Sequence, residues 1–140
     1  RGTTDREDVK NTIWASKDDL IALFIMPADQ TPADINYYQL AVSANGAQFD
    51  QHNRIRQGVH TRNYEYAPDW KAVTARDGKG WTLEVELDTV EAFGVPLRAG
   101  AEWKLNVHRQ FRFDKFPVSS WTFNPGEWHS LRHMGSMKIE

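Results

Sequence analysis

Residues 81–88 read WTLEVELD, and apolar and polar side chains alternate along the whole stretch. Trp81, Leu83, Val85 and Leu87 point to one side of an extended chain, whereas the threonine and the carboxylates point to the other. A period of two with one polar face is typical of an antiparallel strand that covers a core. The stretch therefore predicts an antiparallel sheet with one buried face.

The same reasoning predicts four more strands. Residues 102–111, EWKLNVHRQF, alternate with the same period, and Asn106 and His108 fall on the polar side. Residues 20–26, LIALFIM, are apolar on both sides, which places them in the middle of a sheet. Two further stretches complete the set, 37–43 and 69–75.

Turn residues separate these strands. Asn45-Gly46 is a favoured hairpin dipeptide, and RDGKG at 76–80 joins two strand patterns into one hairpin. Residues 88–94 predict one helical turn, with Asp88 as its cap and Gly94 as its stop.

The stretch 51–68 is polar, shows little periodicity and predicts a long loop. Taken with the strands and turns, it leads to one domain over residues 1–140. We predict that this domain is all-β and that its architecture is an antiparallel β-sandwich.

Composition narrows the range of functions. The 140 residues are 40% hydrophobic and 26% charged, with a net charge of −2 and no cysteine. A nucleic-acid or anionic-membrane role would need a basic face, and an inserted segment would need roughly 20 apolar residues. We therefore expect no nucleic-acid partner and no membrane insertion. The opening on arginine predicts a fragment of a longer protein.

One pair of histidines has the spacing of zinc ligands. His129 and His133 are four residues apart, with Glu127 nearby. Proline and glycine bracket this segment, so a helix there would be short, and no third ligand is evident. Solvated loop histidines are the favoured interpretation, and the sequence leaves any metal unknown.

Catalytic motifs are weaker still. Ser119 and Ser120 lie outside any Gly-x-Ser-x-Gly elbow, and the chain has no cysteine nucleophile. Glu84 and Glu86 share a strand face that is expected to be solvated, rather than flanking a cleft as glycosidase carboxylates do. We predict that the protein is not an enzyme.

Tryptophan is the unusual component, with six residues in the chain. Trp70, Trp81 and Trp103 fall within strand patterns, where core packing explains them. Trp14, Trp121 and Trp128 fall in loops or at the edges of elements instead. A rigid, open indole face suits stacking on a pyranose ring, with polar neighbours bonding the hydroxyls.

Several segments in order resemble the family 9 carbohydrate-binding modules, β-sandwiches related to the DOMON domains. They are DREDVKNTIWASKDDLIALFI, YYQLAVSANGAQFD, WTLEVEL, AGAEWKLNVHRQ, SSWTFNPGEWH and MGSMKIE. The resemblance covers nearly all of the chain. Family modules usually begin with further strands, so we expect these to precede Arg1 or to come from another chain.

The resemblance also implies a site. In the family, two tryptophans sandwich a terminal sugar, and amide and charged side chains assist them. Carried over by position, the ligand-binding residues are Trp14, Trp128, Asn106, His108, Gln39, Asn124 and Glu127. Two positions depart from the family pattern: Ala22 stands where a glutamate is typical, and Ala41 where some members carry arginine.

The resulting hypothesis is a non-catalytic module that recognises a monosaccharide, an oligosaccharide or the end of a polysaccharide. The resemblance implies a carbohydrate ligand, fusion to other domains, an extracellular, periplasmic or cell-surface location, no cofactor, and room for structural calcium. One alternative is a structural or interaction sandwich that has lost the sugar site. The other is a haem-binding DOMON-like domain, for which Met26, Met134 and His133 are the candidate ligands.

Overall fold

The computed structural model describes residues 13–14, 18–111, 118–122 and 128–140. Its described strands run in chain order as β1 (Leu20–Met26), β2 (Asp34–Ser43), β3 (Gln48–Arg56), β4 (Val59–Asn63), β5 (Trp70–Asp77), β6 (Gly80–Leu87), β7 (Glu102–Gln110), β8 (Val118–Ser120) and β9 (Gly135–Lys138). A short helix, Thr89–Phe93, follows β6, and a 3-10 turn, Leu131–His133, precedes β9.

Two antiparallel sheets make up the strand structure. The larger has seven strands in the order β4-β3-β2-β1-β7-β8, with β9 pairing β7 at the other end of that strand. The smaller is the β5–β6 hairpin. The predicted antiparallel all-β fold is confirmed, and β1 lies centrally between β2 and β7 as its apolar faces predict.

The hairpin packs on one face of the large sheet, which we call the hairpin face. Leu40, Val42 and Trp70 form the centre of this core, with half-buried Leu23 and Val85 packed against them. A neighbouring cluster continues the core around Trp103 and the short helix. Because β6 turns its apolar side chains inward and its carboxylates outward, the alternation predicted for residues 81–88 is confirmed.

The opposite face of the large sheet, which we call the cavity face, differs in composition. Its core includes Ala22, Phe24, Tyr37, Ala41 and Phe49. Polar side chains are buried among them: Gln39, Gln51, Asn53, Asn106 and His108. Ile13, Trp14, Trp128, Leu131 and Met134 pack over this face. Both faces of the large sheet are thus covered. The contacts are apolar on the hairpin face, and both apolar and polar on the cavity face.

The helix prediction is confirmed in detail. Asp88 is the N-cap, and its carboxylate accepts hydrogen bonds from the backbone amides of Val90 and Glu91. Gly94 closes the helix with a left-handed φ of 70°. Within the described part of the chain, every helix is too short and too polar for a membrane span.

The predicted long loop at 51–68 is wrong. Most of it belongs to β3 and β4, which Gln57 and Gly58 join with φ values of 50° and 80°. Two positive φ angles in a two-residue turn are the hairpin geometry that matches strand twist. These strands were not predicted because β3 buries the amide side chains of Gln51 and Asn53. Apolar and polar residues therefore do not alternate along it.

The solvent-exposed side predicted for β7 is also wrong. Asn106 and His108 lie on its polar side, yet each is only 1% exposed. Both lie on the cavity face, where Trp128 stacks on His108 and the backbone amide of Thr122 donates to Asn106. Alternation correctly predicted which side chains of β7 share a face, but their polarity did not indicate which face is exposed to solvent.

Truncating the core tryptophan tests this arrangement. Trp103→Ala removes a ring that is 1% exposed and packed against Phe93, and we expect a loss of about 3–5 kcal/mol of folding free energy. Thermal denaturation should show a fall in Tm of about 10 °C or more. The matched control is Trp121→Ala, because Trp121 is 60% exposed. Equal losses in both variants would contradict the assigned core.

Candidate functional site

A cavity of about 250 Å³ opens on the cavity face. Three kinds of group line it: indoles and other rings, buried amides, and one guanidinium. The lining residues are Trp14, Gln39, Phe49, Gln51, Arg62, Tyr64, Trp128 and His129. Of the predicted site residues, the structure therefore brings Trp14, Trp128 and Gln39 together at one cavity.

Two glutamines form the polar floor. Gln39 on β2 and Gln51 on β3 are directly opposed across the strand pair, so their side chains share a face. Both residues are buried, at 4% and 3% exposed, and both line the cavity. An amide offers a carbonyl acceptor and two N–H donors, so this floor is suited to hydrogen-bond a polar molecule.

The two indoles meet at a right angle. The ring centroids of Trp14 and Trp128 are 5.7 Å apart, and their planes differ by 78°. Trp14 also meets Phe49 edge to face, while His108 stacks nearly parallel on Trp128 at 5.2 Å. A sandwich with a sugar between two parallel indoles, as the resemblance implied, is therefore wrong for this geometry. Both rings are half-buried and still line the cavity.

The reason for this arrangement lies in the sheet beneath the rings. Phe49, Ala41, Ala22 and His108 form one row across four neighbouring strands. The outer two carry the rings that touch Trp14 and Trp128, and the inner two carry only methyl groups. The indoles pack down against this cluster and meet each other above it. A glutamate or an arginine at the alanine positions would project into that space.

Asn106 and His108 support the site rather than line it. Asn106 Oδ1 accepts hydrogen bonds from the backbone amides of Val107 and Thr122, which ties β7 to the segment after β8. His108 stacks beneath Trp128 and meets Phe24 edge to face. The predicted residues Asn124 and Glu127 lie outside the described residues.

A tyrosine joins two histidines beside the cavity. Tyr37 Oη lies 3.1 Å from His60 Nε2 and 3.0 Å from His129 Nδ1. His60 Nε2 is also 3.2 Å from Asn53 Oδ1, which can only accept, so this nitrogen carries the hydrogen. Tyr37 then donates to His129 Nδ1, and the hydrogen of the neutral His129 ring resides on Nε2. The network thereby sets the tautomer of a residue that lines the cavity.

Burial and positive neighbours hold this cluster uncharged. Burial, helped by Arg62, His60 and His108, lowers the pKa of His129 to about 4. Burial raises the pKa of Tyr37 to about 12. Burial also lowers the pKa of His60, to which Arg62 contributes. At neutral pH the cluster consists of a phenol and neutral imidazoles.

Sequence reasoning missed five of the lining residues: Phe49, Gln51, Arg62, Tyr64 and His129. Three of them fall within the stretch taken for a loop. The Gln57-Gly58 pair between two polar runs was the signal for a hairpin there. Once β3 is placed beside β2, Gln51 follows from Gln39 by register.

The described residues contain no group of three or more histidine, cysteine or acidic side chains that could hold a metal ion. His133 ends the 3-10 turn, so it does not share a helical face with His129. Met26 and Met134, candidates for haem ligation, both pack against the apolar cluster of the cavity face.

No protein-family model, no curated protein and no solved structure matches the chain. The resemblance to the family 9 modules therefore stays a prediction.

The tyrosine–histidine cluster predicts a pH dependence of stability. The folded-state pKa of His129 is about 4, whereas an unfolded histidine titrates near 6.5. Between these values the unfolded chain binds more protons, so stability falls as pH drops from about 6.5 towards 4. Above pH 6.5, this residue adds no dependence.

Thermal denaturation from pH 7.5 to 4.5 checks this sign. We expect Tm to fall below pH 6.5, and to fall less steeply in His129→Gln. The two proteins should show the same slope above pH 7. Parallel curves over the whole range would rule out His129 as the buried titrating group.

Proposed function

We propose that the protein is a non-catalytic carbohydrate-binding module that holds a pyranose ring in the cavity above Gln39 and Gln51. The observation that carries the proposal is this pair of buried glutamines, which lie side by side in the lining of the cavity. Each amide offers both a carbonyl acceptor and N–H donors. A sugar hydroxyl both donates and accepts, so the two chemistries match.

The walls suit the apolar side of the same ligand. A sugar ring presents C–H groups on its faces and hydroxyls around its rim. Trp14 and Trp128 present half-buried indoles at right angles. A sugar could stack on the face of one indole and contact the other with its edge. The proposed site therefore has two perpendicular indoles instead of the parallel pair that the resemblance implied.

The size of the cavity limits the ligand and its affinity. At about 250 Å³, it lies just below the roughly 300–1,000 Å³ of pockets for small-molecule ligands. One sugar ring, with roughly 12 heavy atoms at about −0.3 kcal/mol each, would bind with about −3.5 kcal/mol. The corresponding Kd is in the millimolar range. Attachment to a larger protein would make such weak binding useful through effective concentration.

The proposal assigns no reaction to the cavity. Its described lining contains no carboxylate and no serine or cysteine nucleophile. The role is that of an accessory module of a larger carbohydrate-active or surface protein outside the cytoplasm, which rests on the resemblance alone.

One observation favours a second candidate, a structural or interaction sandwich without a ligand. His108 already covers one face of Trp128, and Trp14 meets that indole directly. In that case the indoles would serve to cover the sheet. Tryptophan fluorescence distinguishes the two, because no sugar should shift the emission of an inert sandwich.

Replacing one floor glutamine separates binding from stability. Gln39→Leu removes the amide but preserves the apolar bulk, so we expect sugar binding to disappear while folding free energy changes by less than about 1 kcal/mol. The measurements are fluorescence or calorimetric titration with monosaccharides, and chemical denaturation.

Gln110→Leu is the matched control. Gln110 lies on the same face of the sheet but not in the cavity lining, so its variant should bind like the wild type. Undiminished binding by Gln39→Leu would rule out the assigned floor. A large loss of stability in Gln39→Leu would show that the amide serves the fold instead.

A further inference from the structure

We propose that the ligand of this cavity is an anionic sugar, a pyranose whose carboxylate or sulfate group pairs with Arg62. This inference rests on the proposed function and names its ligand class. It is carried by the placement of one guanidinium at the cavity and by the charges and hydrogen-bond groups around it.

Arg62 lines the cavity, and no described residue forms an ion pair with it. It lies on β4 directly opposite Asn53, so both side chains project to the cavity face. Among the described residues, no carboxylate lies within ion-pair distance of it. Arg54 on the neighbouring strand shows the contrast, since it makes a two-pronged ion pair with Asp34 at 2.8 and 2.6 Å.

The acidic residues of β2 and β3 lie on the other face of the sheet. Asp34 and Asp50 are on the hairpin face, where Asp50 accepts a hydrogen bond from the Trp70 indole. The described cavity lining contains Arg62 and no carboxylate. Although the chain carries a net charge of −2, the charge of the described cavity lining is positive.

The pKa shifts of His129, Tyr37 and His60 also include the effect of Arg62. Burial lowers the pKa of His129 most, and the charge of Arg62 lowers it further. No carboxylate contributes to the shifts of Tyr37 or His60. Arg62 therefore acts on all three groups of the tyrosine–histidine network.

Hydrogen-bond donors are in excess on this face. The Nδ2 groups of Asn53 and Asn106 are buried and have no acceptor among the described residues. The tyrosine–histidine network leaves the hydrogen of His129 on Nε2. A carboxylate or a sulfate is purely an acceptor, and a guanidinium binds either through two parallel hydrogen bonds. A neutral sugar would leave the charge of Arg62 without an opposite charge in the ligand.

Matched sugars test the inference in the intact chain. Glucose and glucuronate differ only at C6, as do galactose and galacturonate. We expect the acidic member of a pair to bind about tenfold more tightly at low salt, the lower end for a hydrogen bond to a charged group because Arg62 is exposed. The advantage should shrink in about 0.5 M NaCl, where charges are screened within several ångströms. Glucose 6-sulfate, compared with glucuronate, separates the two anionic groups.

Two variants locate the effect. Arg62→Gln should bring the acidic and the neutral sugar to the same affinity. Arg98→Gln, an exposed arginine outside the cavity lining, should keep the full preference. Circular dichroism would verify that both variants are folded.

The outcomes separate this inference from the function on which it rests. If no sugar of either kind binds, the proposed function fails. If neutral and acidic sugars bind equally, or if Arg62→Gln retains the preference, the cavity binds sugar but the anionic assignment is overturned. A preference that disappears only in Arg62→Gln supports the assignment.

Discussion

The contact between Ala22 and Ala41 across β1 and β2 is the constraint on which the cavity face depends. These two methyl groups lie between Phe49 and His108 in one row of the sheet, and they leave room for two large rings above them. Trp14 and Trp128 use that room and meet each other at 5.7 Å. Because only methyl groups lie beneath them, the two indoles pack down against the apolar cluster of the cavity face. There they line the cavity together with Gln39 and Gln51, which lie in the next row of the sheet.

Enclosure of polar groups makes the two faces of the large sheet unequal. The hairpin face buries aliphatic and aromatic side chains against β5 and β6, and its acids are paired with Arg54 and Trp70. The cavity face buries amides and imidazoles, and the Nδ2 groups of Asn53 and Asn106 have no hydrogen-bond acceptor among the described residues. Apolar burial stabilises a fold, whereas unpaired buried polar groups cost stability. The hairpin face therefore supports the structure, and the cavity face carries the chemistry.

The tyrosine–histidine network gives the site a defined protonation state. Burial and the charge of Arg62 favour the neutral form of His129, while the hydrogen bond from Tyr37 selects its tautomer. A single arginine thus acts twice, on the imidazoles beside the cavity and on any ligand within it. The edge strand β4 that carries Arg62 is joined to β3 by the Gln57-Gly58 turn, so the position of this charge depends on a tight hairpin.

Local patterns were enough to predict the strands β1, β2, β5, β6 and β7, the Asn45-Gly46 turn, and the helix from its Asp88 cap to Gly94. These features depend on alternation, turn geometry and capping, which act between residues close in the chain. Alternation could not identify β3 and β4, because β3 buries Gln51 and Asn53 and β4 is exposed along its length; only the Gln57-Gly58 turn gave a local signal. Nor could it indicate that Asn106 and His108 are buried, since their contacts with Thr122 and Trp128 join residues far apart in the chain.

The tertiary structure alone decided the site. Trp14, Gln39, Arg62 and Trp128 are far apart in sequence. The pairing of β2, β3 and β4 and the packing of the two indoles against Phe49 and His108 bring them to one cavity. The angle between the indoles was equally inaccessible to sequence, because it depends on the shape of the alanine row beneath them. Sequence by itself determined which segments would extend and where they would turn. The packing of distant side chains determined which polar groups would be enclosed together, and hence what the cavity can bind.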